Sequence, residues 1–337
     1  MDESDAAPAC TLRPSPQSQV LVHTLRLGLR PILQRAHGGV PIGVLRAAIA
    51  GGSRLVPLDR RVRVEPLTKK RSSGTSNSSD DIPPPPVDGE WVRTADSATD
   101  GAVLYLHGGA YVFCSPRTHR VLTSRLAVDT GLPVLAPKYR LAPEHPFPAA
   151  LDDALDAYHW LLAQGIPATR IVVAGDSAGG HLAATLAAEL CRTGGPAPAG
   201  IVLFSPWADL TCELSVAWDR ECRDPYIVPA LGRRFGMLYA GEHDFEDPRL
   251  ALLRCTTTGL PPFLIQAGGA DALRSDAEHL AEVLAKIGVA CELQIWSGQM
   301  HVFQVLHMLL PEARAAMRET GRFVRTVIGA ERASAAA

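Results

Sequence analysis

From Ala102 to Val327 the chain alternates short apolar, β-branched runs with stretches rich in helix formers. The runs at 102–106, 134–136, 170–174, 201–204, 263–267 and 291–296 read as strands, and 149–163, 177–192, 275–286 and 312–327 read as helices. Such alternation specifies a mostly parallel sheet with helices on both faces. Two more strands, 61–65 and 90–94, precede it, so the expectation is an α/β fold built on eight strands. One segment, Cys212 to Cys255, carries Trp218, Tyr226, Phe235, Met237 and Tyr239 without a strand and reads as an inserted helical region. Val20 to Gly52 is amphipathic and reads as helices broken at Pro31 and at the Gly38–Pro41 turn.

The most informative junction is Gly175-Asp176-Ser177-Ala178-Gly179-Gly180, set between a buried strand and a helix. A Gly-x-Ser-x-Gly in that context is a nucleophile elbow, whose tight turn lifts the serine hydroxyl clear of the sheet. Gly175 and Gly179 flank it because a β-carbon there would collide where strand and helix pass closely. The following helix aims free N–H groups and its positive dipole end beside Ser177.

A serine in that position needs a base, an acid to orient the base, and donors for a developing oxyanion. His301 lies in the loop after the last strand, where the chain order Ser…Asp…His requires the base. Asp271 follows Gly268-Gly269-Ala270 at the end of the preceding strand and is the expected acid; its rival Asp276 sits where a first-turn carboxylate favours the helix dipole. His107-Gly108-Gly109-Ala110 follows the strand 102–106, where backbone N–H groups can approach the oxyanion, with the Ala178 N–H completing the set. His107 reads as an anchor for its loop.

These motifs, with Tyr139-Arg140-Leu141-Ala142-Pro143-Glu144, Phe147-Pro148-Ala149-Ala150 and Ser205-Pro206-Trp207-Ala208-Asp209, resemble the hormone-sensitive lipase family of α/β-hydrolases. The resemblance runs from about Arg61 to Ile328. It implies a carboxylesterase with Ser177 as nucleophile, Asp271 as acid, His301 as base, and Gly108, Gly109 and Ala178 as oxyanion donors. It also implies a helical cap, giving cap helices over 1–55, core over 56–211, a cap insertion over 212–255 and core over 256–337. Glu144 and Asp176 are expected to tie the site's loops together without touching substrate. Ala110 stands where the usual motif has a third glycine. Ala110, Tyr111, Trp207, Trp218 and Tyr226 are the candidate pocket residues.

The expected substrate is a small acyl ester of short or medium chain, because an enclosed pocket without a large amphipathic membrane face suits emulsified fat poorly. The same fold and triad also serve amidases, transacylases and ligand-binding proteins that lack catalysis; retention of Ser177, Asp271 and His301 speaks against the last. No metal or cofactor is expected, since the His and Cys residues show no ligand spacing. A formal charge of −2 gives no reason to expect a nucleic-acid partner. Seven cysteines without Cys-x-x-Cys spacing, an acidic N-terminus and no spanning apolar run suggest a cytoplasmic, soluble chain without a stable membrane anchor. Oligomeric state is not legible, and a homodimer is left open. Residues 1–16 read as loosely ordered, and 69–86, with its serines and four consecutive prolines, as an extended polar linker.

Overall fold

In a computed structural model, residues 13–35, 41–68 and 87–334 are described. The expectations for the first twelve residues, the Gly38–Val40 turn and the 69–86 linker fall outside them. Eight strands form one sheet: β1 (Val62–Leu67), β2 (Gly89–Thr94), β3 (Ala102–Leu106), β4 (Val134–Pro137), β5 (Ile171–Asp176), β6 (Gly200–Phe204), β7 (Phe263–Gly268) and β8 (Cys291–Trp296). Their order is β1-β2-β4-β3-β5-β6-β7-β8; β2 runs antiparallel to both neighbours and the six strands from β4 to β8 are parallel.

The strands' two-residue period divides their side chains between two cores. Leu104, Leu106, Val173, Leu203 and Ile265 face α4 (Ala149–Ala163), α5 (Ala178–Thr193) and α8 (Arg274–Lys286). Val103, Tyr105, Val172, Val202 and Leu264 face α3 (Arg120–Thr130) and α9 (Pro311–Ser334). Both faces of the central strands are thereby buried, which explains their continuous apolar runs.

Three sequence expectations change. Helix α1 (Pro16–Arg35) runs through Pro31 without a break; the carbonyl that proline leaves unbonded belongs to exposed Leu27, where water can satisfy it. Residues 13–16 are tied down, since the Ser15 N–H donates to Glu312 at 2.5 Å. Helix α3 was not expected at all. Its β-branched residues mask helical periodicity, and it continues from a single 3₁₀ turn, Pro116–His119, that opens on a capping box in which Ser115 and Thr118 exchange bonds. Helix α2 (Ile42–Gly52) follows Pro41, and the inserted segment holds α6 (Glu213–Cys222) and α7 (Pro229–Ala240).

Candidate active site

All the chemically informative loops leave the carboxyl ends of the parallel strands, so the fold gathers residues almost 200 positions apart. Ser177, between β5 and α5, sits at φ 52° and ψ −122°, a strained conformation that the flanking packing enforces. A Cβ at Gly175 would strike the carbonyl of Gly179, and one at Gly179 would strike the carbonyls of Leu106 and His107. The Ser177 turn and the loop after β3 are therefore pressed together backbone to backbone.

His301 is buried, and its Nδ1 lies 3.1 and 3.2 Å from the two carboxylate oxygens of Asp271. An ionised carboxylate only accepts, so Nδ1 carries the proton and Nε2 remains an acceptor. Burial alone would lower the His301 pKa, but the charge and hydrogen bond of Asp271, helped by Asp224, outweigh it and raise the value. The rival Asp276 makes no such contact: its Oδ1 accepts the Asp209 N–H at 2.8 Å, and burial holds its pKa well above the usual carboxylate range.

Ser177 and His301 face one cavity of about 480 Å³. Its walls are mainly apolar. Leu33 of α1, Leu45 and Ile49 of α2, Ser215 of α6, and Pro229, Leu231 and Phe235 of α7 contribute, together with Gly109, Ala110, Trp207 and Tyr226.

Gly108 is not available as an oxyanion donor, contrary to expectation. Its N–H already donates to Asp176 Oδ1 at 2.9 Å. Gly109 (φ 110°) and Ala110 (φ 53°) both sit in left-handed backbone on the cavity wall, and their N–H groups meet no acceptor among the described residues. Ala110 thus holds the turn that a third glycine would hold, with its methyl group in the cavity.

Asp176 ties loops together as expected. Besides the Gly108 N–H it accepts from the Tyr105 hydroxyl at 2.5 Å and lies 3.3 Å from His119 Nε2. Burial opposes its ionisation, yet the charge of His119 and these hydrogen bonds keep its pKa lowered. It nevertheless also borders the cavity. His107 stacks on Tyr139 with ring centroids 4.2 Å apart, and burial drives its pKa down to about 3, so it is a neutral anchor. Glu144 is more exposed than expected and pairs with Arg46 of α2 at 2.8 Å; the same guanidinium donates to the Val112 and Ala142 carbonyls.

Two expected pocket residues are placed elsewhere. Tyr111 turns away from the cavity, stacks on Tyr239 and hydrogen-bonds His181 Nδ1 at 2.7 Å. Trp218 lies behind the loop after β7 and donates its indole N–H to the Asp271 carbonyl at 3.0 Å. Trp207, Tyr226 and Ala110 do line the cavity.

Sequence reasoning missed Asp224 and His119, and named Ser205 only as part of a motif, without a role. Buried Asp224 accepts the N–H groups of Tyr226 and Ile227 with Oδ1 and that of Ala272 with Oδ2, clamping the α6–α7 loop onto the loop that carries Asp271. Burial, then the charge of Asp271, push its pKa up to about 7. Ser205 Oγ accepts the Val302 N–H at 3.0 Å, holding the loop that carries His301. An Asp followed by Pro225 inside the insertion was the one visible signal for the clamp. Among the described residues no cluster of three or more His, Cys, Asp or Glu side chains could hold a metal ion.

Residues 103–305 match the family model of the α/β-hydrolase fold. An acetyl-hydrolase of Streptomyces hygroscopicus is 43% identical over 71% of this chain and 80% of its own length. Esterase LipU of Mycobacterium tuberculosis is 40% identical over 68% and 80% respectively. A crystal structure of an esterase from the bacterial hormone-sensitive lipase family superposes with a TM-score of 0.82 at 33% identity, covering 94% of this chain and all of that one. The chain is a carboxylic ester hydrolase of the hormone-sensitive lipase family. The resemblance read from its motifs is thereby established as membership, and the eight-stranded α/β-hydrolase fold with it. Within this hydrolase no described helix is long and apolar enough to cross a membrane.

Proposed function

We propose that the chain hydrolyses small acyl esters of short to medium chain length through an acyl-enzyme on Ser177. The observation that carries this reading is the His301–Asp271 hydrogen bond at the edge of a cavity that Ser177 also faces. His301 Nε2 takes the hydroxyl proton as Ser177 Oγ attacks the ester carbonyl, and returns it to the departing alcohol. Asp271 holds the ring in the tautomer this requires and stabilises the imidazolium. The N–H groups of Gly109, Ala110 and Ala178 receive the oxyanion; the first two lack acceptors, and the third is an orphan donor at the start of α5. Water then attacks the acyl-enzyme by the same proton path in reverse.

The helices α1, α2, α6 and α7 serve as the cap, since residues of all four line the cavity. Its volume and apolar walls suit a small acyl group, and a relative named for acetyl hydrolysis agrees with this. The test is an acyl-length series of p-nitrophenyl esters with wild type, Ser177→Ala and His301→Ala. Turnover highest on acetyl to hexanoyl esters and lost in both variants is expected. Palmitoyl esters cleaved faster than butyryl esters would overturn the chain-length assignment, and full activity of Ser177→Ala the mechanism.

A further inference from the structure

Between Asp5 and Asp59 the sequence holds six arginines (13, 26, 30, 35, 46 and 54) and no acidic residue. This stretch includes α1 and α2. Helix α2 is apolar on nearly every side, yet none of its residues is buried. A helix of that composition is ordinarily covered on all sides. Here Val44 is 56% exposed, and the apolar exposure continues into the following turn through Val56 and Leu58.

The same turn borders a cleft of about 230 Å³ whose walls include Arg54, Arg117, Arg120, Val56 and Leu58 and no carboxylate. Arg120 is paired with Glu90, whereas Arg54 and Arg117 are exposed and form no ion pair among the described residues. The cleft shares Thr118 and Val305 as walls with the Ser177 cavity; α2 lines the cavity and the turn that follows it, from Ser53, lines the cleft. Cationic groups, uncovered apolar side chains and the cavity therefore form one continuous surface.

We propose that this face docks reversibly onto an anionic phospholipid surface. Arg54 and Arg117 meet the headgroup phosphates while the exposed side chains of α2 and its turn enter the acyl boundary. A second copy of the chain is the poorer occupant, because self-association would set arginine against arginine with no acid in the stretch to relieve it. Nucleic acid would leave the apolar half uncovered. If it docks, this end of the molecule is an amphipathic face that the sequence reading did not anticipate. Docking is independent of ester cleavage, so its failure and the failure of the proposed chemistry are separable.

The test is co-sedimentation of the full chain, and of Ser177→Ala, with phosphatidylglycerol or phosphatidylcholine vesicles at low and high salt. Both proteins are expected to sediment with phosphatidylglycerol at low salt, to be released by high salt, and to ignore phosphatidylcholine. The double change Arg54→Glu/Arg117→Glu is expected to weaken binding at least about tenfold, and Val44→Asp to weaken it as well. Both variants should hydrolyse dissolved p-nitrophenyl acetate as wild type does, which controls for folding. The proposal is overturned by an absence of binding to phosphatidylglycerol at low salt, or by binding that charge reversal leaves unchanged. It is equally overturned by a dimer in the ultracentrifuge that Val44→Asp dissolves, which would make the face a contact between copies.

Discussion

The hydroxyl of Tyr226 donates to the backbone carbonyl of His301 at 2.6 Å. The N–H of the same tyrosine is held by Asp224, which also holds the Ala272 N–H beside the acid. One short loop between α6 and α7 thus fixes the backbone on both sides of the His301–Asp271 pair. Removing the phenol oxygen leaves the ring in the cavity wall and frees the base loop. Tyr226→Phe is expected to lower kcat by about tenfold, the worth of one such bond, with a near-native melting temperature. Steady-state kinetics beside a thermal melt would check this, and an unchanged kcat would remove the positioning role.

The pH dependence follows from His301. The ring must be neutral to take the serine proton. Burial favours the neutral form, but Asp271 and Asp224 outweigh it and raise the pKa. Activity is then lost as pH falls through that raised value, so the acid limb of kcat/KM has its midpoint above the ordinary histidine value of about 6.5. Asp224→Asn removes one raising charge and should move the midpoint downward. A pH–rate profile with an unmoved midpoint would show that Asp224 acts through its hydrogen bonds alone.

The two carboxylates of the acid loop and of α8 should respond very differently. Asp271→Asn breaks the tautomer control of His301 and is expected to cost on the order of 10⁴ in kcat. Burial raises the pKa of Asp276 well above the usual carboxylate range, and its Oδ1 accepts the Asp209 N–H instead. Asp276→Asn preserves that acceptor, so kcat should stay within about threefold and stability within about 1 kcal/mol. Greater damage from Asp276→Asn would reverse the assignment of the acid.

Asp176 joins the Ser177 turn to the loops after β3 through Gly108, Tyr105 and His119. Asp176→Ala strands these buried donors and should destabilise the fold by about 3 kcal/mol or more. Because the folded-state pKa of Asp176 is lowered, its contribution is present above the ordinary carboxylate pKa and fades as pH falls through the lowered value. Urea unfolding of wild type and variant, at neutral and acid pH, would measure both effects.

Glu144→Gln is a milder change than its place in the motif suggests. The carboxylate is half exposed, its pairing with Arg46 holds its pKa down at about 2, and such pairs contribute under about 1 kcal/mol. Arg46→Ala also abandons the Val112 and Ala142 carbonyls. It should loosen α2 and raise KM more than Glu144→Gln does, with kcat little altered. Equal effects of the two substitutions on KM would count against that anchoring.

Much of this molecule was legible before any coordinates, because the relevant signals are local. Strand 171–176, the glycines around Ser177 and the helix after it are written within ten residues, and their spacing alone dictates a strained turn. The order of Ser177, Asp271 and His301 follows from which strand each loop succeeds. Helix α3 was lost for the opposite reason, its β-branched residues disguising the period that Leu122 and Leu126 use to pack on the sheet.

What only the tertiary structure decided are the partners of groups that sequence leaves equivalent. Gly108 and Gly109 are neighbours of the same type, yet one N–H is consumed by Asp176, 68 residues away, and the other faces the cavity. Trp218 and Tyr226 lie in one insertion, yet one backs the acid loop and the other lines the cavity. Periodicity and motif report which backbone a segment adopts. Which donor meets which acceptor depends on how distant segments are juxtaposed, and that is fixed only when the sheet and its covering helices have packed.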